Sequence, residues 1–175
     1  MVVAVTLALA LAFEPAEPGV MRRPPRRPRE PILDAWFVWR IALVSVLIGA
    51  ATIAVFLFEQ GQGEALAKAQ TMAVNTLVLG QVFFLFNCRF LYASSLNPRL
   101  WFTNPAAWIT VGVLLLLQLL FVYAPFMNRL FLTTAVSLHD WLLPTAVGLA
   151  IFLVIEAEKA LVRRLRRPTG TGSRP

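Results

Sequence analysis

The feature that most constrains this chain is its series of apolar runs of about 20 residues, nearly free of charge and separated by short polar stretches. The hydrocarbon slab of a bilayer is about 30 Å thick and a helix rises about 1.5 Å per residue, so a run of that length matches one crossing. Four stretches qualify: Trp36 to Phe58, Met72 to Leu91, Ala106 to Tyr123, and Leu142 to about Val162. A membrane strand alternates polar and apolar residues, whereas these runs are apolar on every face. The predicted fold class is therefore all-α, a polytopic transmembrane helix bundle. Composition agrees, since 58% apolar against 14% charged residues excludes a disordered chain and departs from ordinary soluble domains.

A fifth apolar run, Val2 to Phe13, reaches only about 20 Å as a helix and is too short to cross alone. It reads as a half-span. A cleaved signal peptide ending at Ala10-Leu11-Ala12 is the competing reading, but no Lys or Arg precedes the apolar stretch. Four full spans also place both ends and the loop around Arg99 on one side. All basic residues except Lys68 and Arg129 collect there, so the positive-inside rule predicts cytoplasmic N- and C-termini in a plasma (inner) membrane protein. Trp36, Trp39, Tyr92, Trp101, Trp108, Tyr123 and Trp141 fall at or just beyond span ends, the depth that amphipathic rings favour.

The resulting organisation is a truncated helix at 1–13, a Pro/Arg-rich cytosolic connector at 14–33, a four-helix membrane domain at 34–164 and a flexible basic tail at 165–175. The connector's prolines forbid regular helix and its arginines forbid burial, so it reads as a solvated segment touching anionic headgroups. Membrane lipids are thus the first expected partner, and a nucleic-acid role is not supported. On the outer side, Glu59 to Thr71 reads as a loop. The loop Ala124 to Asp140 ends in Ser137-x-x-Asp140, a capping-box pattern, with Pro144 close behind in the first turns of the last helix. Glu156 and Lys159 are spaced to pair on one helix face, and with the arginines after them read as a solvated anchor.

Polar residues at span depth each need a partner. The second full span carries Asn75, Thr76, Gln81, Asn87 and Cys88, with Thr76, Gly80 and Asn87 on one stripe and Gln81 beside it. Interhelical hydrogen bonding explains such a stripe, and an ion or water pathway is the sharper alternative. Ser45-x-x-x-Gly49 and Gln118 read as packing features. No catalytic residues are predicted. One histidine and one cysteine cannot form a Cys/His metal cluster, so no metal site is expected, and no phosphate-binding loop is present to hold a nucleotide.

Phe13-Glu-Pro15, followed by Met21-Arg-Arg-Pro24-Pro25-Arg26-Arg-Pro28-Arg-Glu30-Pro31, resembles the cytosolic connector between the sixth and seventh transmembrane helices of cation-transporting P-type ATPases of the calcium- and sodium-pump branch. Asp34-Ala-Trp36-Phe-Val-Trp39-Arg40 resembles the start of the seventh helix. Thr71 to Asn75 and Asn87-x-Arg89 resemble the eighth helix and its exit, and Ser137 to Lys159 the tenth. The resemblance covers essentially Met1 to Arg164, and implies that Met1 to Phe13 is the second half of the sixth helix.

The resemblance implies a C-terminal membrane domain that supports the ion-translocating helices, with Gln81, Asn75 and Asn87 as ion-path candidates. The sixth helix of the family carries an acidic cation ligand at a position that falls on Ala4 here, and the eighth-helix carboxylate of calcium pumps corresponds to Gln81, which offers oxygen without charge. The family's phosphorylated aspartate and its nucleotide domain would lie upstream of Met1. No cofactor is therefore expected on this chain itself; Mg-ATP would act only through an upstream ATPase part, a possible partner, and this polypeptide alone would not hydrolyse ATP. The other reading is an independent small membrane protein, a channel subunit or pump regulator. An enzyme acting within the membrane finds no acid, base or nucleophile pair.

Overall fold

The computed structural model describes residues 2–13, 35–88 and 105–165. These are helical almost throughout, with no strand among the described residues. Six α-helices follow in order: α1 (Val2–Ala12), α2 (Ala35–Gly61), α3 (Leu66–Cys88), α4 (Pro105–Tyr123), α5 (Pro125–Phe131) and α6 (Leu142–Leu165), with a 3₁₀ turn (His139–Trp141) leading into α6. Most of the connector motif, from Pro15 through Met21, Pro24, Pro25, Arg26, Pro28 and Glu30 to Pro31, lies outside the described residues. So do Arg89, Arg99 and the tail beyond Leu165. Phe13 alone of that motif is described, and it is exposed just past the end of α1.

α3 is the hub. Of the apolar window in α2 only 11% is buried, against 56% in α3, so α2 shows its side chains outward while α3 is enclosed. Val46, Ile53 and Leu57 of α2 and Ile109 and Leu116 of α4 stand largely exposed. In water such a surface would be a liability, but against acyl chains it carries no cost. Three packed clusters surround α3. Val78, Val82 and Leu85 meet Ala10 of α1 and Val111 and Leu114 of α4. Val44 and Ile48 of α2 join Ile151 and Ile155 of α6. Val55, Met72, Val122 and Val136 close the opposite end.

α3 and α6 approach closely at Gly148. A Cβ placed on Gly148 would stand 2.6 Å from the Phe83 ring and 3.4 Å from the Leu79 backbone, so a bare glycine is what lets the two helices touch there.

The span count takes a specific form. Among the described residues two helices are long and apolar enough to cross a membrane, Phe37–Gly61 and Leu66–Cys88. A third crossing requires α4 and α5 to be taken together, and these are bent by 76° at Ala124. α6 is 24 residues long but brings Glu156, Glu158 and Lys159 into its run. α1, with 11 residues, is a half-span by length.

The boundaries correct the sequence reading of the two stretches expected to be outer loops. Glu59 to Thr71 is not one loop: α2 continues to Gly61 and α3 begins at Leu66, leaving a tight turn. Gly63 adopts φ 77° in that turn, a left-handed conformation that costs glycine little. The extra helical turns are held by charge, because Lys68 lies 2.8 Å from Glu64, 3.8 Å from Glu59 and 3.6 Å from Asp140. One cation thereby ties the end of α2, the start of α3 and the approach to α6. Ala124 to Asp140 likewise holds helix α5, ended by Leu132 in a left-handed conformation at φ 54°.

Candidate functional site: the polar face of the central helix

The polar residues of α3 fall into three groups at different heights. Nearest the N-terminal end of α3, the Thr71 hydroxyl has Ala67 O at 2.8 Å and Thr134 O at 3.1 Å within reach of its one hydrogen, and accepts from the Thr134 N–H at 3.1 Å. It pins the extended segment after α5 onto α3. Beside it, the Tyr123 hydroxyl donates to Val136 O at 3.0 Å and accepts from Trp141 Nε1 at 3.2 Å.

One turn deeper lies Asn75, fully buried, whose side-chain carbonyl accepts a 2.6 Å hydrogen bond from Gln118 Nε2 on α4. Asn75 Nδ2 has no acceptor among the described residues. Thr76 donates to Met72 O within its own helix at 2.8 Å.

The third group is at the C-terminal end of α3. Asn87, also fully buried, donates from Nδ2 to Phe152 O of α6 at 3.3 Å, while its backbone carbonyl accepts from Lys159 Nζ at 2.7 Å. Lys159 stands 3.6 Å from Glu156, the pairing their spacing foretold. Their surroundings were misjudged, however: Glu156 and Lys159 are only 5% and 3% exposed, so they form a buried ion pair between helices and not a solvated anchor. Arg40 of α2 is buried at 4% exposure and acts electrostatically on Lys159 and Cys88. Charges from α2 and α6 thus meet the C-terminal end of α3 at one protein-enclosed spot.

Gln81 lies between these groups. Its side chain is partly buried, and Oε1 accepts no hydrogen bond among the described residues. Asn87 Oδ1 is in the same condition. Asn75 and Asn87 are about 18 Å apart along the helix axis by rise alone, and Gln81 lies midway. The three candidates therefore do not converge on one coordination site. They space polar atoms along the length of α3: Asn75 turns to α4, Asn87 to α6, and a Cβ placed on neighbouring Gly80 would stand 3.7 Å from Ile48 and 3.8 Å from Ile151. Amide oxygens are hard donors of the kind that metal cations accept, although they lack charge. Among the described residues no three His, Cys, Asp or Glu gather closely enough to hold a metal ion.

Two contributors escaped the sequence reading. Gln118 was taken for a packing residue, yet it is the partner of Asn75; a lone amide inside Ala106–Tyr123 was the available signal. Lys159 reaches a backbone carbonyl 72 residues away, for which spacing offers no signal.

Comparison with known proteins accounts for the chain as a whole. Residues 1–161 match the family model described as "Cation transporting ATPase, C-terminus". The chain is 38% identical over 170 residues to the "Probable cation-transporting ATPase F" of Mycobacterium tuberculosis, covering 96% of this chain and 18% of the relative. It is 36% identical over 137 residues to the "Calcium-transporting ATPase" of Bacillus subtilis, covering 78% and 15%. With the "Calcium-transporting ATPase 1" of Saccharomyces cerevisiae the identity is 28% over 165 residues, covering 94% and 17%. The chain thus spans less than a fifth of the length of these relatives.

Proposed function

This chain belongs to the cation-transporting ATPase C-terminal family, a membrane domain of P-type ATPases, and from that premise we propose that it works as the buttress of a cation pump. Its helices α2, α3, α4 and α6 stand as the four crossings that brace the ion-translocating helices, and α1 stands as the half of a translocating helix lying against them. The observation that carries this reading is the seating of α1. Ala10 is 1% exposed, packed between α3 and α4 in one cluster, so the short helix is held by the bundle as an integral wall.

In this reading the chain takes no part in phosphoryl transfer. Mg-ATP is used by an upstream ATPase part, and the chain contributes a rigid frame against which that part moves, a coupling of two states by differential stabilisation. Gln81, Asn75 and Asn87 border the cation path, with Gln81 Oε1 and Asn87 Oδ1 supplying uncharged oxygens. The bundle resides in the plasma (inner) membrane among lipids, with both termini in the cytoplasm, because burying the Arg40 and Lys159 end on the cytoplasmic side agrees with the basic residues flanking it.

The test is complementation in vesicles. The chain and an upstream ATPase part, expressed together, should give ATP-driven cation uptake and a phosphoenzyme, while this chain alone should give neither. Uptake or phosphoenzyme from the chain alone overturns the proposal. A homo-oligomer conducting ions without the upstream part would instead establish an independent channel subunit.

A further inference from the structure

We propose that α5 is an interfacial elbow: it lies in the plane of the outer headgroup layer, with Phe126 and Leu130 entering the acyl boundary and Arg129 on lipid phosphate. The surface is one no function described above uses. α4 is 19 residues long, about 28 Å by rise, close to the thickness of the hydrocarbon slab. Its outer end therefore lies near the slab's edge. There the chain turns by 76° into α5, so a helix following a crossing near the membrane normal becomes nearly parallel to the surface.

Three features hold the elbow at that depth. Tyr123, the last residue of α4, hydrogen-bonds both Val136 O and Trp141 Nε1, placing two amphipathic rings side by side at the bend. Such rings favour the headgroup zone. Pro125 starts α5 at a first-turn position where its missing N–H is not needed. At the other end, Leu132 takes the left-handed conformation, the Thr133 N–H bonds Asn128 O at 3.1 Å, and the Thr133 hydroxyl bonds Asn128 Oδ1 at 3.2 Å. Phe131 packs on Phe121 of α4 with ring centroids 5.3 Å apart, which fixes the angle between the two helices.

The outward side of α5 has the chemistry of the headgroup boundary and not of a protein partner. Phe126 is 59% and Leu130 71% exposed, and Arg129 lies between them at the rim of a shallow open hollow that it lines with Pro125. A guanidinium among apolar side chains suits a layer where acyl chains and phosphates meet, since the stem lies on carbon while the head reaches phosphate. The patch also continues the outward face of α4, on which Leu116 and Leu120 are exposed at acyl depth. Continuity with that face identifies the bilayer as the occupant in preference to a second copy of the chain.

The experiment reads depth directly. Cys88 is the single cysteine, so in a C88A background the full chain is spin-labelled at Phe126→Cys or Leu130→Cys. It is then placed in phosphatidylcholine/phosphatidylglycerol vesicles, and collision with oxygen and with a water-soluble nickel chelate is measured. Leu116→Cys serves as the mid-span reference and Gln62→Cys as the aqueous one. The labels at 126 and 130 should give oxygen-to-nickel ratios several-fold above Gln62→Cys and several-fold below Leu116→Cys. Ratios equal to the aqueous reference, or inaccessibility to both reagents as a contact between copies would produce, overturn the proposal. A mid-span ratio at Leu116→Cys shows that the membrane reading survives either failure. The unaltered chain supplies a second measurement: a photoreactive lipid with its probe on the headgroup should label residues 125–132 several-fold more than one with its probe at the acyl end, and the reverse order refutes the elbow.

Discussion

Gln118 donates a 2.6 Å hydrogen bond to the side-chain carbonyl of Asn75, joining α4 to α3 with both side chains withdrawn from the surface. In a bilayer there is no water to replace that bond, yet such pairs are modest in measured strength, about 0.6 kcal/mol on average and up to about 1.7. The short distance and complete enclosure place this pair toward the upper part of that range.

A double-mutant cycle tests it. Asn75→Leu and Gln118→Leu should each destabilise the bundle, and the double variant should be less destabilised than the sum, with a coupling of about 1 kcal/mol. Reversible unfolding by denaturing detergent in mixed micelles supplies the numbers; strictly additive losses would show that the bond carries no net stabilisation.

The α3–α6 contact at Gly148 predicts intolerance of bulk. Gly148→Ala drives a methyl toward the Phe83 ring, which is held by its own contact with Phe152 at 6.4 Å between centroids. Overpacking of this kind costs about 1–3 kcal/mol. Adding Phe83→Leu should recover part of the loss, which a thermal melt of the two variants in detergent decides.

For the buried pair on α6, removing one member should cost more than removing both. Lys159→Met strips the donor from Asn87 O and leaves Glu156 enclosed without its 3.6 Å counter-charge, a change of about 3–5 kcal/mol. Lys159→Met with Glu156→Leu should be milder, because the carboxylate is then removed together with its counter-charge. Yields of folded protein and unfolding midpoints rank the three chains.

At the approach to α6, Asp140 accepts from the Ser137 N–H and hydroxyl, both at 2.8 Å, and its own N–H faces Ser137 Oγ at 3.3 Å. Burial pushes this carboxyl up, but the Ser137 hydrogen bonds and the Lys68 charge outweigh it and hold it below the usual carboxylate range. A carboxyl depressed in the folded state contributes stability above its unfolded pKa and loses it as pH falls through the folded value. The advantage of the unaltered chain over Asp140→Asn should therefore be full at neutral pH, begin to fade near about pH 4 and vanish below that. Melting midpoints across an acid series would reveal it. Ser137→Ala, which removes one arm of the cap, should cost about 1 kcal/mol at neutral pH and move the fade to higher pH.

Several elements were legible before any coordinates. Length and the absence of charge mark out α2 and α3, since an enclosed or lipid-facing helix must be apolar around its whole circumference. The Ser137-x-x-Asp140 box was readable because its partners are three residues apart, and the short α1 because its run simply stops. The Phe13 to Pro31 motif carried the family, and the match over residues 1–161 agrees with it.

Other features depended on residues far apart in the chain. The loop from Glu59 to Thr71 was drawn too long because Glu59 and Lys68, polar residues that usually signal a turn, pair across it and let the helices continue. The pairing of Asn75 with Gln118 spans 43 residues and that of Lys159 with Asn87 spans 72. The sequence alone therefore determined that the chain is a membrane helix bundle, because crossing a bilayer is a local demand on length and polarity, while its family was read from the resemblance of a motif. Tertiary structure decided where each buried polar group finds its partner, and hence that the candidates on α3 are strung along the helix and not gathered. Hydrogen bonds and close approaches such as Gly148 on Phe83 depend on which faces meet, and no periodicity within a single helix specifies its neighbour.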